Sequence, residues 1–174
     1  MPDRQKELLE LLDKSGANLY ALLTRLTLRE DVAEELMQEL FIKLIKSRSF
    51  DKAGNPEAYA RRAAINLAFD WRRSRKRNSL RLDQISEPAS DDNSPLGKLV
   101  QAEELDEILN AIGQMNKVTR EAFVMRYVQE ESYDYIAEQL GKTAHHVRAL
   151  CSRALNHLRD ILGHDRHRCS GKET

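Results

Sequence analysis

Apolar residues in this chain recur three and four positions apart, and no other feature constrains its fold as tightly. Leu8, Leu9, Leu12, Leu19, Leu22, Leu23 and Leu26 keep that period through the first segment. Val32, Leu36, Leu40, Phe41, Leu44 and Ile45 keep it through the second. This spacing gathers apolar side chains on one face of an α-helix, whereas a half-buried strand would alternate them. It predicts helices over about 6–26 and 29–46, with Ser15-Gly16 as a candidate interruption of the first. SRSFDKAGNP then clusters Gly, Asn, Pro and Asp as a loop, and Pro56 suits the first turn of a third helix ending near Arg75. With only 7 Gly, 4 Pro and 6% aromatics in 174 residues, the expected class is all-α.

The formal charge is zero, but charge is segregated along the chain. Residues 47–81 hold 10 basic and 3 acidic residues, net +7, while residues 82–110 hold 1 and 8, net −7. A cationic surface fit for nucleic acid thus precedes an acidic tether. Residues 78–98, NSLRLDQISEPASDDNSPLGK, are rich in turn formers and aperiodic. The expectation is two small helical domains, 1–77 and 99–163, joined by a flexible acidic linker at 78–98 and followed by a flexible tail at 164–174.

Several classes are disfavoured. No apolar run reaches the roughly 18 residues of a membrane span, and the start MPDRQKELLELL lacks the apolar core of a signal peptide. The expected location is therefore cytoplasmic, without membrane insertion. Cys151 and Cys169 make no disulfide framework. There is no phosphate-cradling Gly loop and no convincing nucleophile–base pair, so the chain reads as a non-enzyme without a cofactor. His164, His167 and Cys169 form an H-x-x-H-x-C run one ligand short of a closed zinc site, and no metal is expected there.

Three runs carry the chemistry. In DYIAEQLGKTAHHVRALCSRALN (134–156), Ile136, Ala137 and Leu140 face inward, Gly141 suits a left-handed helix end and Thr143 an N-cap. Val147, Leu150, Ala154 and Leu158 continue as a buried stripe. This is a helix-turn-helix pattern, whose second helix sets its N-terminal residues at base edges. In RRAAINLAFDWRRSRKR and the residues just before it, Tyr59, Arg62, Asn66, Phe69, Asp70 and Arg73 lie broadly on one side of a helix. Cations there attract phosphates, and the aromatics either hold unstacked bases or fill the core. In REDVAEELMQELFIKL, the stripe of Asp31, Glu34, Glu35, Gln38 and Glu39 repels DNA, so it takes a basic protein partner or is simply solvated.

The order EDVAEELMQELFIKL, AYARRAAINLAFDWRRSRKR, TREAFVMRYVQEESYDYIAEQLGKTAHHVRALCSRALNHL resembles the extracytoplasmic-function (ECF) sigma factors of bacterial RNA polymerase, over most of residues 15–162. The resemblance implies that 1–77 is sigma domain two and 99–163 sigma domain four. It implies that Asp31, Glu35, Gln38 and Glu39 dock on the clamp coiled coil of the largest subunit of core RNA polymerase. It assigns promoter minus-ten recognition and melting to Ser49, Phe50, Lys52, Asn55, Tyr59, Arg62, Asn66, Asp70, Arg72 and Arg73. Melting of this kind is driven by binding energy alone, against a few kcal/mol of unstacking per step. It assigns minus-thirty-five recognition to Thr143, His145, His146, Arg148, Ala149, Ser152 and Arg153. The linker would pass through the polymerase, and an anti-sigma factor is a common partner of the family. The chain departs from the family pattern at Tyr59, Ile65, Leu150 and His145-His146, so promoter sequence does not carry over. The competing expectation is an autonomous helix-turn-helix regulator that binds duplex DNA alone, which would need neither the acidic helix nor the basic-aromatic one.

Overall fold

A computed structural model of the chain describes residues 2–82 and 96–169, with side chains over 3–80 and 101–163. Regular structure among the described residues is helical: α1 Pro2–Thr27, α2 Glu30–Lys46, α3 Pro56–Leu82, α4 Leu96–Gly113, α5 Lys117–Tyr127, α6 Tyr133–Leu140 and α7 Ala144–Cys169. The chain divides into two compact units, residues 1–72 and 73–174.

Several boundaries differ from the sequence expectation. α1 runs unbroken through Ser15-Gly16. A Gly inside a helix costs only about 1 kcal/mol, which strong helix formers on either side offset. α3 continues to Leu82 and α4 opens at Leu96, so helix occupies both ends of the stretch expected to be linker. Nothing between Arg75 and Leu82 breaks a helix: KRNSLRL has neither Gly nor Pro. Residues 83–95, the acidic part of that stretch, lie outside the described residues. α7 likewise passes Gly163 and ends at Cys169, within the expected tail. The His164, His167 and Cys169 side chains lie outside those described.

In the first unit, Leu8, Leu11, Leu19, Leu22, Leu23 and Leu26 of α1 pack with Val32, Leu36, Leu40 and Leu44 of α2. Phe50, Ala60, Ala64, Ile65 and Phe69 complete the core. The apolar stripes are rotated slightly from the expected ones. Leu9 is exposed and Leu11 is buried in its place, and Ile45 is 53% exposed rather than in the core. In a leucine-rich helix the period alone cannot choose between adjacent leucines. The partner surface decides.

In the second unit three side chains start three helices. Asn116 Oδ1 accepts from Thr119 N–H at 3.0 Å, Ser132 Oγ from Tyr135 N–H at 3.1 Å, and Thr143 Oγ1 from His146 N–H at 3.2 Å. Each such cap is worth about 1 kcal/mol. Between the last two, Gly141 ends α6 at φ 61°, ψ 38°, the left-handed region where a side chain is strained. Lys142 N–H then bonds back to the Ala137 carbonyl at 2.9 Å. Ile136, Val147, Leu150, Cys151, Ala154 and Leu158 are buried against Leu109, Ile112, Phe123, Val124 and Met125. The expected inward stripe of the second helix is therefore the one formed.

Candidate nucleic-acid and partner interface

The first surface lies on α2. Asp31, Glu35, Gln38 and Glu39 are all exposed. Arg29 Nε donates to Asp31 Oδ1 at 3.1 Å, and that hydrogen bond holds the Asp31 carboxyl below the usual carboxylate range. Glu39 is 3.8 Å from Lys43 Nζ. Sequence reasoning missed what continues the stripe. Asp31, Glu35, Gln38, Ile42 and Ile45 recur at spacings of four, three, four and three, and Ile42 and Ile45 are 51% and 53% exposed. One face of α2 thus runs from acidic to apolar. The signal was present in the spacing, but Ile45 also fits the core stripe by period.

The second surface comprises the 47–55 loop and the first turns of α3. Its backbone is held from several sides. Arg4 Nη2 donates to the Leu44 and Ser47 carbonyls at 3.0 and 2.8 Å, and Arg4 Nε is 3.2 Å from Asp51. The Ser47 and Tyr59 hydroxyls are 2.9 Å apart, and Phe50 N–H donates to Ser47 Oγ at 3.2 Å. Asn55 Oδ1 caps α3 by accepting from Ala58 N–H at 3.0 Å. This anchored loop exposes Ser49, Lys52 and Asn55. On α3, Tyr59, Arg62, Asn66, Asp70 and Arg73 recur three and four residues apart with Asp70 and Arg73 exposed and the others half-buried.

Two residues assigned to DNA need correction. Phe50 is 1% exposed, with its ring edge-on to Tyr59 at 5.8 Å between centroids. It fixes the loop from beneath. Arg72 is 4% exposed, and its Nη1 donates to the Leu26 carbonyl at 3.1 Å, near the end of α1. Neither presents itself to a ligand. A buried arginine inside the run RRSRKR looks like its exposed neighbours in sequence, because only the packing of α3 picks it out. Phe69, also placed on the cationic side, is fully buried.

The third surface is the start of α7. His145, His146, Arg148, Ser152 and Arg153 are exposed, and Ala149 is half-buried. Thr143, exposed, caps the helix. Arg148 Cζ lies 5.2 Å from the centroid of the Tyr133 ring, and Arg126 Cζ lies 4.4 Å from the same centroid. Tyr127 packs on Phe123 at 4.6 Å, and burial, with a smaller contribution from a hydrogen bond to Tyr133, pushes its phenol up. Burial also pushes up the Cys151 thiol, with the nearby Arg126 charge opposing. Among the described residues no group of three or more His, Cys, Asp or Glu is placed to hold a metal ion, and no helix is long and apolar enough to cross a membrane.

Residues 11–78 match the family model of sigma-70 region 2, and residues 105–158 that of sigma-70 region 4. The ECF RNA polymerase sigma factor SigE of Mycolicibacterium smegmatis is 30% identical over 165 residues. The chain belongs to the ECF sigma factors. The SigE match covers 88% of this sigma factor, which spans 60% of the length of that relative. The ECF sigma factor SigK of Mycobacterium sp. (strain KMS) is 23% identical, over 88% of this chain and 81% of its own. The fold is also that of a Bartonella quintana sigma factor, RpoE, solved in complex with the anti-sigma factor NepR. The TM-score is 0.51 at 24% identity, over 94% of this chain and 98% of that one. The α2 and α3 surfaces of this sigma factor fall within its region 2 match, and the α7 surface within region 4.

Proposed function

We propose that this chain binds core RNA polymerase and directs it to promoters, with no catalytic chemistry of its own. The observation that carries this reading is the coexistence, within residues 11–78, of an exposed acidic-to-apolar face on α2 and a run of exposed cations, Arg73, Arg75, Lys76 and Arg77, on α3. Acidic side chains repel DNA, and a regulator working alone has no use for them. A face combining carboxylates with two exposed isoleucines suits a basic protein helix pair, because apolar contacts at the centre of an interface supply most of its binding energy. Asp31, Glu35, Gln38 and Glu39, extended by Ile42 and Ile45, are the residues assigned to the polymerase clamp coiled coil.

Ser49, Lys52, Asn55, Tyr59, Arg62, Asn66, Asp70 and Arg73 are assigned to the minus-ten element, with the anchored loop as a preformed edge for an unstacked base. Thr143, His145, His146, Arg148, Ala149, Ser152 and Arg153 are assigned to the minus-thirty-five element. Residues 1–77 and 99–163 act as the two promoter-binding domains. The protein works where the polymerase is, in the cytoplasm, and an anti-sigma factor that covers these surfaces is the expected antagonist.

The test is transcription by purified core RNA polymerase on genomic DNA fragments, with and without this chain. Discrete new start sites that vanish in an Asp31→Lys/Glu35→Lys variant establish the reading. Tight binding to particular duplexes without polymerase, and no new start sites, would replace it with an autonomous regulator.

A further inference from the structure

Two guanidinium groups, on α5 and α7, lie against one tyrosine ring at the start of α6. Arg126 Cζ is 4.4 Å and Arg148 Cζ 5.2 Å from the Tyr133 centroid, both inside the roughly 6 Å range of cation–π attraction. We infer that Tyr133 is a positioning residue for DNA recognition, whose ring holds Arg148 in its binding geometry before DNA arrives. This rests on the promoter-binding reading of α7.

The platform is rigid. Tyr133 is the first residue of α6, directly after Ser132, whose hydroxyl caps the helix through Tyr135 N–H at 3.1 Å. The preceding turn folds back on α5: Glu130 takes φ 58°, and Glu131 N–H donates to the Met125 carbonyl at 3.0 Å. Arg126 is pinned to the same turn, its Nη1 donating to the Glu131 carbonyl at 2.9 Å. Ring and first cation are thus set by α5 and the turn, independently of any ligand. Arg148 is different. It is exposed, in the first turns of α7 where side chains meet base edges. A free arginine there samples many rotamers, and ordering it on binding opposes affinity. Resting against Tyr133 removes part of that cost beforehand. The ring does this through its face and not through the hydroxyl that pairs with Tyr127.

The experiment has two arms. In the full chain without DNA, NMR of the Arg148 Nε–Hε group, assigned by its loss in Arg148→Lys, should show a ring-current shift that Tyr133→Phe keeps and Tyr133→Leu abolishes. This arm reads the contact in the wild-type fold, so an unstable leucine variant does not spoil it. In the second arm, wild-type chain with core polymerase selects a duplex from a randomised pool, and affinities for that duplex are compared. Tyr133→Leu should weaken binding about three- to fivefold, as expected for an exposed cation–π contact. Tyr133→Phe should not, and in an Arg148→Ala background Tyr133→Leu should add almost nothing. An unshifted Arg148 signal in the wild type overturns the inference. So does a Tyr133→Phe loss equal to that of leucine, which would mean that the hydroxyl, through Tyr127 or through DNA, carries the effect and not the ring face. So does a leucine penalty that persists in Arg148→Ala. If the wild type selects no duplex while the ring-current shift is present, the promoter reading fails, and the positioning role falls with it.

Discussion

Replacing Arg72 by Met should destabilise the first unit rather than merely weaken DNA binding. The side chain is 4% exposed and donates to the Leu26 carbonyl at 3.1 Å. A buried hydrogen bond from a charged donor is worth about 1.5–3 kcal/mol. Leu26 lies one residue before the end of α1, where unpaired carbonyls carry partial negative charge that adds roughly 0.3–1 kcal/mol for a cation. Met keeps most of the stem, so little cavity opens. The expected loss is about 2–4 kcal/mol, and for a unit of this size each kcal/mol lowers the midpoint by about 4–8 °C. Trp71 is the single tryptophan of the chain and lies in the first unit, so its fluorescence in a thermal melt reports on that unit. Lys52→Ala, on the exposed loop, is the control: a shift within about 0.5 kcal/mol, with weaker and less salt-dependent promoter binding by the polymerase complex. An Arg72→Met chain that melts at the wild-type midpoint yet loses promoter affinity would refute the argument and return Arg72 to the DNA surface.

Phe50→Ala should lower stability on the same Trp71 signal by about 3–5 kcal/mol, as for a fully buried ring. Ile42→Glu with Ile45→Glu should leave that melt within about 0.5 kcal/mol of wild type. The same pair should weaken core-polymerase binding, read by competition with wild-type chain, by roughly tenfold or more. Gly141→Ala meets no atom within 4 Å of the added Cβ, so its cost is the left-handed backbone, about 1–2 kcal/mol on a far-ultraviolet circular dichroism melt. Cys151 should resist iodoacetamide in the folded chain and react on denaturation, as followed by mass spectrometry. Its thiol is raised above the unfolded value of about 8.5. Its contribution to stability is therefore complete below that pH and is lost as pH rises toward the folded value, a fall in urea midpoint that Cys151→Ala should flatten.

What was legible in the sequence was whatever depends on local chemistry. The turn around Gly141, the Thr143 cap and the stripe Val147, Leu150, Ala154, Leu158 follow from backbone geometry and helical period, and they form as expected. The acidic face of α2 is legible for the same reason. What depends on a distant partner was not. Arg72 reads as one more cation until Leu26, forty-six residues away, accepts its hydrogen bond. The family resemblance sets Phe50 on the minus-ten surface, until Tyr59 packs edge-on against its ring. Arg4 gives no local sign that it will hold the 47–55 loop, and nothing near Ile45 says that Leu44 takes the core position. The extra helical turns at Leu82 and Leu96 were missed because polar, aperiodic residues extend a helix without announcing it.

The cap at the start of α7 bears on which residues position 143 can accept. Thr143 Oγ1 accepts a hydrogen bond from His146 N–H and keeps its own hydroxyl proton to donate. An aspartate would cap the helix at least as well, but it would place a permanent negative charge where a phosphate is expected to approach. An alanine would remove the charge problem and the cap together. A hydroxyl satisfies the protein and the polyanion at once, as the neutral amide of asparagine would, so two opposed demands confine this position to uncharged capping residues.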